Sequence, residues 1–218
     1  MRILMATGLL VVSLMFSWVS EGSQEKLPEA VHIAAEKAED VIDFFLAGDW
    51  KSAGGLVDGI GSAEAEIEKT MNDNRMPASS AYELGYLIFQ MKELVQEKTR
   101  PVQAALVSNQ LTALLTDLQG YYAHSAPLEI AWMDYLGREI VLLAKEQDDY
   151  GLLEKRVSEL GRTWDKIRAE VKSRDGKEAS DRVDEVLSEL KGKASRTQMM
   201  KNGNRVLDLV DELEALFR

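Results

Sequence analysis

Apolar positions recur along this chain at intervals of three and four residues, the spacing that gathers side chains onto one face of an α-helix. Val31, Ala34, Ala35, Ala38, Val41, Ile42 and Phe45 make the first such stripe, opened by Pro28-Glu29. Proline suits the start of a helix, and an acid there meets the positive end of the helix dipole. Gly48-Asp49-Trp50 breaks the stripe, and Asp49 suits the cap of a second helix, where its carboxylate accepts from an orphan backbone N–H. That second helix carries Ala53, Val57, Ile60, Ile67 and Met71 on one face. Asn72-Asp73-Asn74 and Pro77 then read as a loop, and Ser80 with Glu83 as a capping box for a third helix. Pro101 marks either a new helix or a kink. Beyond it Val107, Leu111, Leu114, Leu115, Leu118 and Tyr121 form a stripe that ends near Gly120.

The rest of the chain repeats this plan. Ser125-Ala126-Pro127 opens a helix to about Lys145, and Asp148-Asp149-Tyr150 stands where Gly48-Asp49-Trp50 stood. A helix through Val157, Leu160, Trp164, Ile167 and Val171 precedes a loop at Arg174-Asp175-Gly176. Two last helices run from about Ser180 to Lys191 and from Ser195 onward, with Ser195 and Gln198 as a second capping box. At an offset of 100, Glu29, Glu39, Val41, Asp49, Val57, Gly61 and Ile67 meet identical residues, and at 95 Asn109, Leu114 and Leu118 meet Asn204, Leu209 and Leu213. A period this long excludes the short helical solenoid repeats and fits an up-down-up-down four-helix unit. The expected fold is therefore all-α: about eight helices in a tandem, duplicated antiparallel bundle, with halves at residues 23–124 and 125–218. Ile130 to Ala144 is apolar almost all round, so that helix is expected between the halves. Asp134 and Arg138, four apart with the acid first, read there either as a polar seam or as an exposed edge.

The first residues follow a different rule. Met1-Arg2 gives a positive tip, Ile3 to Val19 is apolar apart from Thr7, Ser13 and Ser17, and a polar segment follows at Glu21. That order is a secretory signal, here residues 1–22, with small Ser20 and Gly22 at the two positions a signal peptidase reads. The alternative is an uncleaved anchor, for which residues 3–19 sit at the lower limit of a bilayer span.

Composition narrows the chemistry. Apolar residues make up 45% of the chain, and 37 acids against 26 bases give a net charge of −11 spread along its length. Nucleic acid is an unfavourable partner for that charge. The absence of cysteine removes disulfides, thiolate metal sites and covalent c-type haem. No phosphate loop, nucleophile elbow or His-Glu-x-x-His helix is present.

Few residues remain as candidates. His32 and His124 are the only histidines. A four-helix topology places both at one end, where opposed imidazoles can hold haem or a metal. Against that, His32 lies about 100° around the helix from Val31, at the stripe's edge. Glu64 falls on the seam of Val57, Ile60 and Ile67, either as a carboxylate facing the core or snorkelling to water. Tyr121, Tyr122, Trp132 and Tyr135 cluster at the junction and are candidates to line a ligand pocket, or to pack the halves together. The reading carried forward is an exported cell-envelope protein, periplasmic or secreted, not an enzyme. It is expected to bind a protein partner or small ligand through helical faces without a cofactor. A haem- or metal-binding bundle and a membrane-anchored structural protein are the alternatives.

Overall fold

A computed structural model describes residues 26–122, 126–146, 150–192 and 194–218. The signal-peptide assignment, His124, Ser125 and the Asp148-Asp149 break lie outside these residues. Among the described residues there are eight helices and no strand: α1 (Glu29–Ala47), α2 (Trp50–Asp73), α3 (Ala78–Glu97), α4 (Pro101–Gln119), α5 (Leu128–Glu146), α6 (Tyr150–Ser173), α7 (Lys177–Lys191) and α8 (Arg196–Ala215). None of them is long and apolar enough to cross a membrane.

The helix ends follow local chemistry. Gly48, at φ +71°, stops α1 in the left-handed conformation that a side chain disfavours. The next residue starts α2: Asp49 accepts from the Ser52 N–H at 3.1 Å and the Ser52 hydroxyl at 2.7 Å. Ser195 and Gln198 form the reciprocal capping box of α8. Pro101 occupies the first turn of a new helix after Arg100 turns to φ +55°, so it marks a start and not a kink. The expected capping box at Ser80 and Glu83 does not form. Pro77 already fixes the helix entry, α3 starts at Ala78, and Ser80 is buried inside its first turn. The seventh helix likewise begins at Lys177, before Ser180, whose hydroxyl is buried.

Packing follows a closed ring, α1 on α2, α2 on α3, α3 on α4 and α4 on α1, and then again from α5 through α8 back to α5. Helices α4 and α5 join the two rings. One apolar cluster gathers the buried stripes of α1–α4, including Phe45, Ile60, Ile88 and Leu115, and a second gathers those of α5–α8 around Trp164. Trp164 is fully buried, and its indole N–H donates to Asp184 at 2.7 Å, which satisfies its one polar atom. The almost wholly apolar α5 is buried on several sides: its Leu142 belongs to the first cluster while its neighbour Leu143 belongs to the second. Two glycines let α5 and α8 approach closely. A Cβ on Gly203 would stand 2.6 Å from the Val141 side chain, and one on Gly137 3.0 Å from Val206.

Candidate binding site

Ring closure leaves α1 and α8 facing each other across a groove whose floor is α5. Part of it is a cavity of about 240 Å³, lined by Ala35 and Glu39 of α1, Thr112, Thr116 and Gln119 of α4, Asp134, Tyr135 and Arg138 of α5, and Asp211 and Glu214 of α8. Past Glu214 the groove continues to His32, Pro127 and Arg218; past Glu39 and Arg138 it continues to Asp40, Asp43, Lys145 and Asn204. These positions follow from the stripes. Ala34, Ala35 and Ala38 face the core of α1, so Glu39 one step on sits at the stripe's edge, over the neighbouring helix.

Carboxylates outnumber cations in the cavity. Arg138 donates to Asp134 at 2.8 Å and lies 3.9 Å from Glu39, and the Asp134 and Arg138 side chains are only 21% and 17% exposed. The pair is therefore a seam and not an exposed edge. Arg138 Nη1 is buried and finds no acceptor among the described residues. Burial pushes the Glu39 carboxyl up to about 7, and the charges of Asp134, Glu214 and Asp40 add to it against the pull of Arg138. Half of the Glu39 side chain is open to water, and screening there reduces what this shift is worth in stability. Burial also raises Asp134, with Arg138 opposing and Glu214 and Asp211 assisting.

A second polar cluster lies at the α4–α5 joint. Asn109 Nδ2 donates to Glu139 at 2.9 Å and to the Tyr135 carbonyl at 3.2 Å. Arg156 Nε approaches the other Glu139 oxygen at 3.6 Å, while its Nη1 donates to Glu159 at 2.7 Å. Glu139 is 2% exposed, and burial raises its pKa against the Asn109 hydrogen bond and Arg156. Asn109 and Glu139 satisfy each other at this joint, while the buried Arg156 Nε finds no hydrogen-bond partner among the described residues.

The sequence candidates are dispersed. His32 is exposed at one mouth of the groove, 3.5 Å from Glu36. Glu64 is half-buried, with an oxygen 3.0 Å from the place a Cβ on Gly85 would take, so the missing side chain of α3 makes its room. Trp132 and Tyr135 meet edge to face at 5.5 Å, and Tyr135 lines the cavity, its hydroxyl pushed up to about 12 by burial and by the Glu139 charge. Tyr121 is exposed. Tyr122 is buried at the end of the first bundle where α1 starts, accepting from Asn74 Nδ2 at 2.7 Å and lining a separate depression beside Pro28. Among the described residues no group of three or more His, Asp or Glu is arranged to hold a metal.

Sequence reasoning did not select Glu39, Asp211, Glu214 or the Asn109–Glu139 pair as site residues. A signal was present: Glu39 meets an identical residue, Glu139, at an offset of 100, and Asn109 meets Asn204 at 95. The chain matches no protein-family profile, no curated protein and no solved structure.

Proposed function

We propose that this chain is an exported, non-enzymatic binding protein of the cell envelope, a duplicated pair of four-helix bundles that holds a small ammonium-bearing ligand in the groove between α1 and α8. The single observation behind the ligand is the charge imbalance of the cavity. Glu39, Asp134, Asp211 and Glu214 come from three helices to line one cavity with a single guanidinium, Arg138, in a place dry enough to raise two of the carboxylates. An ammonium group entering there meets carboxylates already partly stripped of water, where attraction is stronger than at an open surface. The unpaired Arg138 Nη1 offers a donor to any acceptor atom the ligand carries.

Duplication is supported by the recurrence of helix bounds, Trp50–Asp73 against Tyr150–Ser173, and by the identical ring order of packing. It also gives the groove a physical logic. In one joint Asn109 on α4 closes on Glu139 of α5. The corresponding residues, Asn204 on α8 and Glu39 on α1, line an opening instead. The same side chains that satisfy each other at one joint are left facing the groove at the other.

Export rests on the order of basic tip, apolar stretch and polar boundary in residues 1–22. The intact mass of the native protein tests it: a chain starting at Ser23 is expected, and one retaining Arg2 in washed membranes would refute cleavage. Ligand binding is tested by calorimetric titration with spermidine at low salt. Affinity is expected to be higher at pH 8 than at pH 6, where Glu39 carries a proton, and at least about tenfold weaker in the Glu39→Gln/Glu214→Gln double variant. Equal affinity in wild type and variant would sink the groove as the site.

A further inference from the structure

Helix α3 carries a second departure from an ordinary bundle surface. Leu84, Ile88 and Met91 point into the core, and on the opposite side of the helix stand Tyr82, Tyr86 and Phe89, 77%, 49% and 57% exposed. Their spacing of four and three residues sets them in one row about 10 Å long. Scattered apolar residues on a surface are ordinary, but three aromatics in one row, facing away from their own bundle, are a contiguous patch that folding does not call for. Two of the rings contact each other: those of Tyr82 and Tyr86 lie parallel with centroids 6.4 Å apart, and Gln90 Nε2 donates to the Tyr86 hydroxyl at 3.1 Å. Rings already held in place lose little freedom when a partner covers them.

Charge selects the partner. Exposed Glu83 flanks the row and exposed Glu93 continues it by one turn, on a chain of net charge −11. A second copy would bring like charge to like, as would an anionic membrane surface. We propose that the outer face of α3 docks an amphipathic helix of a basic partner protein, whose apolar stripe covers Tyr82, Tyr86 and Phe89 while its Lys or Arg side chains meet Glu83 and Glu93. This mode, an apolar helical face with complementary flanking charge, needs about three turns of partner helix. The face is independent of the groove, since α3 lies diagonally across its ring from α1.

The test uses the folded protein and a synthetic Leu/Lys amphipathic peptide about four turns long, followed by fluorescence anisotropy. Wild type is expected to bind it and to ignore a Leu/Glu peptide of the same pattern. The Tyr82→Ala/Tyr86→Ala/Phe89→Ala variant keeps every charge, and its far-UV circular dichroism is expected to match wild type because these side chains are exposed. It should bind at least about tenfold more weakly, and the Glu83→Lys/Glu93→Lys variant should also lose affinity. Undiminished binding by the triple alanine variant would mean that bulk charge alone attracts the peptide and would overturn the proposal. So would no binding by wild type, equal binding of the Leu/Glu peptide, or a dimer in sedimentation that Phe89→Ala abolishes.

Discussion

Leu142 tests how the two rings hold together. It stands on α5, yet it is buried to 1% exposure in the cluster of α1–α4, beside Ile42 and Leu46. Leu142→Ala removes the equivalent of about three methylenes, or about 2.4 kcal/mol of transfer energy at about 0.8 kcal/mol each. A residual cavity adds to that, within the range of about 2–5 kcal/mol for buried Leu→Ala changes. The groove beside Leu142 lets neighbours relax, so a loss near about 3 kcal/mol is expected. For a chain of this size each kcal/mol lowers Tm by about 2–4 °C, which gives a fall of about 6–12 °C. The assay is thermal unfolding by circular dichroism at pH 7.5, with a urea titration alongside. Because Leu142 ties α5 to the first cluster, the variant is expected to unfold in one transition at lower temperature with an unchanged m-value. Leu142→Asp should cost more, since it leaves an unpaired charge in apolar surroundings. A fall in Tm of less than about 2 °C for Leu142→Ala would refute the view that this side chain clamps the rings. A second, separate transition would show that the rings unfold independently.

Stability should depend on pH through the groove. The folded Glu39 titrates at about 7 against an ordinary value of 4.5, so between these values the folded state holds more protons. Stability is therefore greatest below about 4.5 from this group and declines as pH rises to about 7. Asp134 and Glu139 act in the same direction. In thermal melts at several pH values, Glu39→Gln should flatten that decline and raise Tm at pH 8; a slope identical to wild type would show that Glu39 is not its source. Gly203→Ala gains helix propensity but drives a Cβ to 2.6 Å from Val141, so a net loss of about 1–2 kcal/mol is expected in urea unfolding, and a stabilised variant would contradict the close α5–α8 contact. His32 stands exposed at the groove mouth, 3.5 Å from Glu36, and no second histidine lines that mouth among the described residues. The purified protein is accordingly expected to be colourless and to give no Soret band with haem at roughly micromolar concentration. A band lost in both His32→Ala and His124→Ala would favour the haem reading.

The helices were legible because nearly all of them bury one stripe and expose the rest. Val31 to Phe45 and Val57 to Met71 repeat at helical spacing, and those residues form the core. Ends were legible where a side chain makes the cap, as at Asp49 and Ser195. They were misplaced where proline sets the entry, since Ser80 and Glu83 satisfy the capping pattern without being needed. The groove was hard to read for a different reason. Its carboxylates come one or two at a time from α1, α5 and α8, and on each helix alone Glu39, Asp211 and Glu214 look like an ordinary solvated edge. Only the meeting of three helices puts them in one cavity with Arg138. The α3 aromatics escaped notice because Tyr82 and Tyr86 fit a helix on either side, and only the burial of Leu84, Ile88 and Met91 shows which side faces out.

Both proposed surfaces spend stability or solubility that the fold does not require. A sequence chosen for folding alone would place Gln or Ala at Glu39, where a carboxylate is raised by burial and crowding, and Lys or Glu at Tyr82, Tyr86 and Phe89, where aromatics face water. Other positions follow the fold-first choice. Trp164 has its indole partner, and the acidic edges of α7 and α8 are matched by Arg182 and Arg205. Local conflicts in an otherwise consistent sequence concentrate where a surface serves something besides folding. The two conflicts here differ in kind, desolvated negative charge in a recess and aromatic area on an outward face, and so call for two different occupants. A recess of about 240 Å³ admits a small cation and excludes a helix, whereas a row of rings about 10 Å long offers a helix its stripe but cannot enclose a small molecule. The titration with spermidine and the titration with the Leu/Lys peptide therefore interrogate separate sites, and loss of one with retention of the other assigns each surface its own ligand.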